Sequence, residues 1–96
     1  MATGKVKKDF IEESISTYNS TAITLPNSFR GLVVCFASGT ARMYLGIVFV
    51  SGDGVVILQP IYTGTDITTT TSTNTLTIAN AGGSIVRVRI LDLTGN

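Results

Sequence analysis

The chain has no histidine and no tryptophan, and only one cysteine. Without histidine the Ser-His-Asp and Cys-His arrangements for nucleophilic catalysis are unavailable, and so is the commonest general base. A single cysteine excludes an intrachain disulfide framework. Charge is scarce as well: 14% of residues are charged, against roughly 25% in ordinary globular domains. A formal net charge of +1 gives no electrostatic case for nucleic acid or for an anionic membrane surface. No apolar run approaches the roughly 20 residues of a spanning helix, and the charged N-terminus has no apolar region of signal-peptide type.

What the chain does have is β-branched and aromatic residues in short runs. Its 96 residues suffice for one domain with a single core. The stretch 31–62 consists of apolar runs separated by Ser38-Gly39-Thr40-Ala41 and Ser51-Gly52-Asp53-Gly54. Glycine accepts the positive φ that tight hairpin turns require, so this stretch reads as a three-strand meander. With Gly39-Thr40 at the first tip, period-two alternation groups Leu32, Val34, Phe36, Met43, Leu45, Ile47, Phe49, Val56 and Leu58 as a core face. The opposite face then carries Val33, Cys35, Ala37, Tyr44, Gly46, Val48, Val50, Val55, Ile57 and Ile61, and is also apolar. A sheet with one wet face alternates apolar with polar residues; this one does not.

The flanking segments complete an all-β pattern. Asp9–Ile15 suits either a helical turn or the start of a strand, which places a tail or short helix over 1–13 and a single β domain over 14–96. Ser14–Asn19 alternates like an edge strand, and Ser20–Leu25 makes another before Pro26 ends it. The threonine-rich tract Ile67–Asn74 has β propensity but little to bury, as in an exposed edge strand or a wide loop. Thr75–Asn80 and Ser84–Leu93 flank Ala81-Gly82-Gly83, a turn of hairpin type that would pair Ile78 with Val86 and Leu76 with Val88. In the last strand Val86, Val88 and Ile90 point inward and Arg87 and Arg89 outward. The expected fold is an antiparallel β-sandwich or jelly roll of seven to eight short strands.

Candidate sites follow from this layout. Cys35, between Val34 and Phe36, reads as a buried small hydrophobe, with no neighbouring cation in sequence to activate it. The six carboxylates are scattered, with no local pair for glycosidase-type chemistry. Ser51-Gly52-Asp53-Gly54 lacks the spaced oxygen ligands of a calcium loop, so no metal or cofactor is expected. Loops on a rigid scaffold carry recognition more often than strand faces do, so ligand contacts are expected at Tyr62, Thr65 and Asp66 or at Asp53. The second apolar face argues for self-association through Val48, Val50, Val55, Ile57 and Ile61, with Phe10, Ile11 and Ile15 in or beside the interface. Arg42, Arg87 and Arg89 are either solvated edge arginines or partners in salt bridges across that interface.

The segments Gly39-Thr40-Ala41-Arg42-Met43-Tyr44-Leu45 and Gly83-Ser84-Ile85-Val86-Arg87-Val88-Arg89-Ile90-Leu91-Asp92-Leu93 resemble the C-terminal β domains of bacteriophage tail-fibre, baseplate and head-fibre proteins. The intervening Thr/Ser/Asn-rich strands are similar in style. The resemblance implies a non-enzymatic structural or attachment knob, located in the virion and forming a homo-oligomer, with a trimer favoured. Other virion proteins and a host surface glycan or protein are its implied partners. A small carbohydrate-binding β-sandwich of a bacterial surface or secreted protein is the alternative.

Overall fold

The computed structural model describes residues 9–93. Eight strands follow one another: β1 (Asp9–Ile15), β2 (Ser20–Thr24), β3 (Arg30–Phe36), β4 (Tyr44–Val50), β5 (Val56–Thr63), β6 (Ile67–Ser72), β7 (Thr75–Asn80) and β8 (Val86–Asp92). They form a five-stranded sheet in the order β1-β8-β3-β4-β5 and a three-stranded sheet in the order β2-β7-β6. All pairs are antiparallel, and the two sheets enclose one core as a β-sandwich. The meander of β3, β4 and β5 is present as read from the sequence, and the threonine tract forms β6 at a sheet edge. Residues 9–13 belong to β1, so the strand alternative holds for that segment. Residues 1–8 lie outside the described residues.

The core is filled by Ile15, Val33, Cys35, Tyr44, Val48, Val50, Val86, Val88 and Ile90 from the large sheet. Ile23, Ile67, Leu76 and Ile78 oppose them from the small one. The meander is therefore turned over relative to the sequence expectation. Leu32, Val34, Leu45 and Ile47 do share a face, as Leu32 opposes Ile47 and Val34 opposes Leu45, but that face points away from the core. Val33, Cys35, Tyr44 and Val48 point inward. The cause lies in β8. Its alternation sends Arg87 and Arg89 outward, and the register Cys35–Val88 and Val33–Ile90 imposes the same facing on β3 and then on β4. Within β3 and β4, Val33, Cys35, Gly46, Val48 and Val50 join Tyr44 between the sheets, while Leu32, Leu45, Ile47 and Phe49 lie outside. Gly46 has a specific part: a Cβ there would come within 2.7 Å of the Tyr44 hydroxyl, so its bareness is what admits the Tyr44 ring.

Four further expectations are corrected. The β3–β4 connection is a longer loop with a 3₁₀ turn at Thr40–Arg42, in place of a tip at Gly39-Thr40. Phe49 opposes Ile57 and lies with it on the outer face instead of in the core, while Val56 and Leu58 face inward as expected. Finally, β7 and β8 do not form a hairpin: β7 pairs with β2 and β6, and β8 with β1 and β3, so Ala81-Gly82-Gly83 crosses between sheets. Ser14–Asn19 is likewise not one strand, because Asn19 N–H bonds to the Ser16 carbonyl at 3.2 Å and closes a turn.

Candidate functional site: two sheet faces and the loop end between them

The outer faces of the two sheets solve the problem of facing water differently. On the small sheet, the register builds three outward rows: Ser20, Ala79 and Thr68; then Ala22, Thr77 and Thr70; then Thr24, Thr75 and Ser72. Hydroxyls and small methyls cover it, which explains how a chain so poor in charge is solvated there. On the large sheet the corresponding rows are Phe36 beside Arg87; Tyr62, Leu45 and Val34 beside Arg89; Ile47, Leu32 and Leu91 beside Gln59; and Phe49 with Ile57 beside Arg30. Phe49 is 44% and Ile57 55% exposed. Glu12, with its carboxylate 4.0 Å from the Arg87 guanidinium, borders this apolar surface along β1. The surface is contiguous across β8, β3, β4 and β5, unlike the singly scattered apolar residues of ordinary surfaces.

The residues expected at an interface are divided by this arrangement. Val48 and Val50 are buried inside the chain's own core, so neither offers a surface to another molecule. Ile15 is also a core residue, and Ile11 packs against the core. Ile57 lies on the apolar outer face, Val55 and Ile61 are exposed beside it, and Arg87 and Arg89 line its border. Arg42 is elsewhere, at the loop end, where its guanidinium donates to the Asp66 carboxylate at 3.2 Å. The side chain of Phe10 lies outside the described residues.

The residues expected to touch ligand fall at opposite ends of the sandwich. Asp53 precedes β5, while Thr65 and Asp66 follow it; a strand of that length separates them by roughly 25 Å. Asp53 accepts a hydrogen bond from the Ser51 hydroxyl, which itself accepts from Val55 N–H, so the carboxylate organises its own turn. Asn74 ties the same end together by donating to the Leu25 carbonyl at 2.8 Å and to the Asn27 side chain at 2.9 Å. At the other end Asp66 is held by Arg42, Tyr62 donates from its hydroxyl to the Thr40 carbonyl at 3.2 Å, and Thr65 is exposed. Gly82 closes over the ion pair: a Cβ there would come within 2.7 Å of the Asp66 carboxylate. Asp66 and Tyr62 thus have structural partners in place.

At that same end lies Tyr18, in a turn instead of the expected edge strand. It occupies the third position of the Ser16–Asn19 turn with φ +58°, a position where glycine or asparagine is the usual residue, and its ring is 75% exposed. The signal available in sequence was Asn19-Ser20, a pair of turn-forming residues directly after it.

Cys35 is buried in the core, and desolvation pushes its thiol up to about 12. Tyr44 is raised by burial too; its hydroxyl reaches toward Thr69 without a well-aligned hydrogen bond. Among the described residues no group of three or more Cys, Asp or Glu side chains is placed to hold a metal ion. No helix among them is long and apolar enough to cross a membrane.

No protein-family model matches the chain, and no curated protein sequence does. Among solved structures the fold is similar to part of tailspike protein gp49 of Acinetobacter baumannii bacteriophage Fri1, described as a capsular polysaccharide depolymerase. The TM-score is 0.56 at 13% identity, over 91% of this chain and 19% of that one. The two share a fold over this stretch, and the chain spans about a fifth of that protein's length.

Proposed function

We propose that this chain is a non-enzymatic structural or attachment module of a bacteriophage virion, and that copies of it assemble through the outer face of the five-stranded sheet. The observation that carries the reading is the contrast between the two faces. One is clothed in threonine and serine, the other in Leu32, Val34, Leu45, Ile47, Phe49 and Ile57. Each large apolar side chain left in water forgoes roughly 1.5–3 kcal/mol of burial, so the second face favours a cover. A second copy suits it, because the centre of the face is apolar while Glu12 and Arg87 along one border supply both signs of charge to a neighbouring chain. The fold likeness to a segment of a phage tailspike supports a place in the virion, and the resemblance of the final strands to fibre domains favours a trimer. Other virion proteins and a host surface receptor are the further partners of this reading.

Two adjacent substitutions test the surface. Ile47→Asp should yield a folded monomer, whereas Val48→Asp should unfold the chain, since one side chain faces outward and the other inward. An Ile47→Asp variant that keeps the wild-type mass would remove the assembly face from this account.

A further inference from the structure

We propose that the groove beneath Tyr18 binds an uncharged saccharide. The groove, shallow and open to solvent with a volume of about 390 Å³, is lined by Tyr18, Asn19, Ser20, Ala79, Asn80 and Ala81. No charged side chain lines it, which disfavours anionic ligands and nucleic acid alike. Its components suit a sugar ring instead. An exposed aromatic face offers a platform for a pyranose C–H face, its negative quadrupole meeting the slightly positive hydrogens. Ala79 and Ala81 leave room alongside, and the Asn19 amide and Ser20 hydroxyl supply donors and acceptors for sugar hydroxyls.

Three observations make this more than an exposed tyrosine. The backbone of Tyr18 is left-handed, an uncommon state for a bulky residue. Strain of that kind, where glycine or asparagine would relieve it, points to a use for the side chain. The floor is rigid: Asn80, 1% exposed, donates to the carbonyls of Ile15, Ser16 and Ser84 and accepts from Gly82 N–H, fastening the β1–β2 turn to the β7–β8 crossing. The groove also opens onto the row Ser20, Ala79 and Thr68, so a longer chain of sugars would continue over a hydroxylated sheet face. That face lies on the opposite side of the sandwich from the apolar one, so assembly through the latter leaves the groove open.

This inference deepens the attachment reading and rests on it for the existence of a ligand, though not for its position. The test is an amide and aromatic NMR titration of the whole chain with neutral oligosaccharides (maltohexaose, chitotetraose and a mannan fragment), with a hexuronate oligosaccharide as the acidic comparison. Shifts confined to Tyr18, Asn19, Ser20, Ala79 and Ala81 are expected with at least one neutral member. Tyr18→Phe should keep binding within about threefold, and Tyr18→Asn should weaken it at least tenfold while leaving the melting temperature unchanged or higher. A purely structural tyrosine would give the reverse for stability. Absence of binding across the neutral panel, preference for the hexuronate, or binding indifferent to Tyr18→Asn would each overturn the proposal. So would Tyr18 signals that move with protein concentration alone, which would make the groove a contact between copies. The mass of the Ile47→Asp variant reports on the assembly face separately, so a failure of saccharide binding and a failure of assembly are distinguishable.

Discussion

Cys35 and Asn80 show how much single side chains decide in a core built between two thin sheets. With its thiol pushed from an ordinary 9.0 to about 12, Cys35 stays protonated and shielded in the native state, and thiol reagents should label it only as the chain unfolds. The sign of the pH effect follows. The unfolded chain gives up this proton first, so from about pH 9 upward it binds fewer protons than the native state and stability falls as pH rises. Below the unfolded value the contribution is flat. Each unit between the two values costs about 1.4 kcal/mol, and urea melts of wild type and Cys35→Ala at pH 7 and pH 10 should show the alkaline loss shrinking in the variant. Cys35→Ser should be worse than alanine by on the order of 1–3 kcal/mol, because it buries a hydroxyl with no assured partner. For Asn80→Ala the expected loss is roughly 3 kcal/mol, measured by the same melts, since Gly82 N–H and the carbonyls it serves lose their partner together.

At the scale of elements, strand existence was legible and strand facing was not. The runs rich in valine, isoleucine and threonine announced β3 to β8, and the Val86-Arg87-Val88-Arg89-Ile90 alternation oriented β8 correctly. The facing of β3 and β4 was illegible locally because both of their faces are apolar, so no alternation separates in from out, whereas Val56 and Leu58 of β5 do face the core as expected. What settles it is a long-range pairing, Cys35 with Val88 and Val33 with Ile90, and no local pattern contains that register. The same gap placed Val48 and Val50 on the wrong side of the sheet. At the loop end, Tyr62, Thr65 and Asp66 were rightly read as lying at a strand end or in the following loop. Their engagement by Thr40 and Arg42 depends on a loop packed beside them, whose 3₁₀ turn carries no strong sequence mark. Asp66→Ala should accordingly cost about 1 kcal/mol, as expected for a partly exposed ion pair, and should lower thermal stability without abolishing ligand binding at Tyr18.

The whole molecule is an asymmetric sandwich: a hydroxylated small sheet on one side, an apolar large sheet on the other, and a loop end bearing Tyr18 between them. Low charge in the composition admits two explanations, uncharged polar residues doing the solvating or surface buried against other chains, and the fold gives each a place. Threonine rows replace charges on one face, and on the other the account calls for further copies of the chain. The mass in solution tests this directly. Light scattering on the wild-type chain at tens of micromolar should give a closed oligomer, three times the 10.1 kDa of a single chain, that dissociates on Ile47→Asp while keeping its β-sheet spectrum. A stable wild-type species of 10.1 kDa at that concentration would contradict the account.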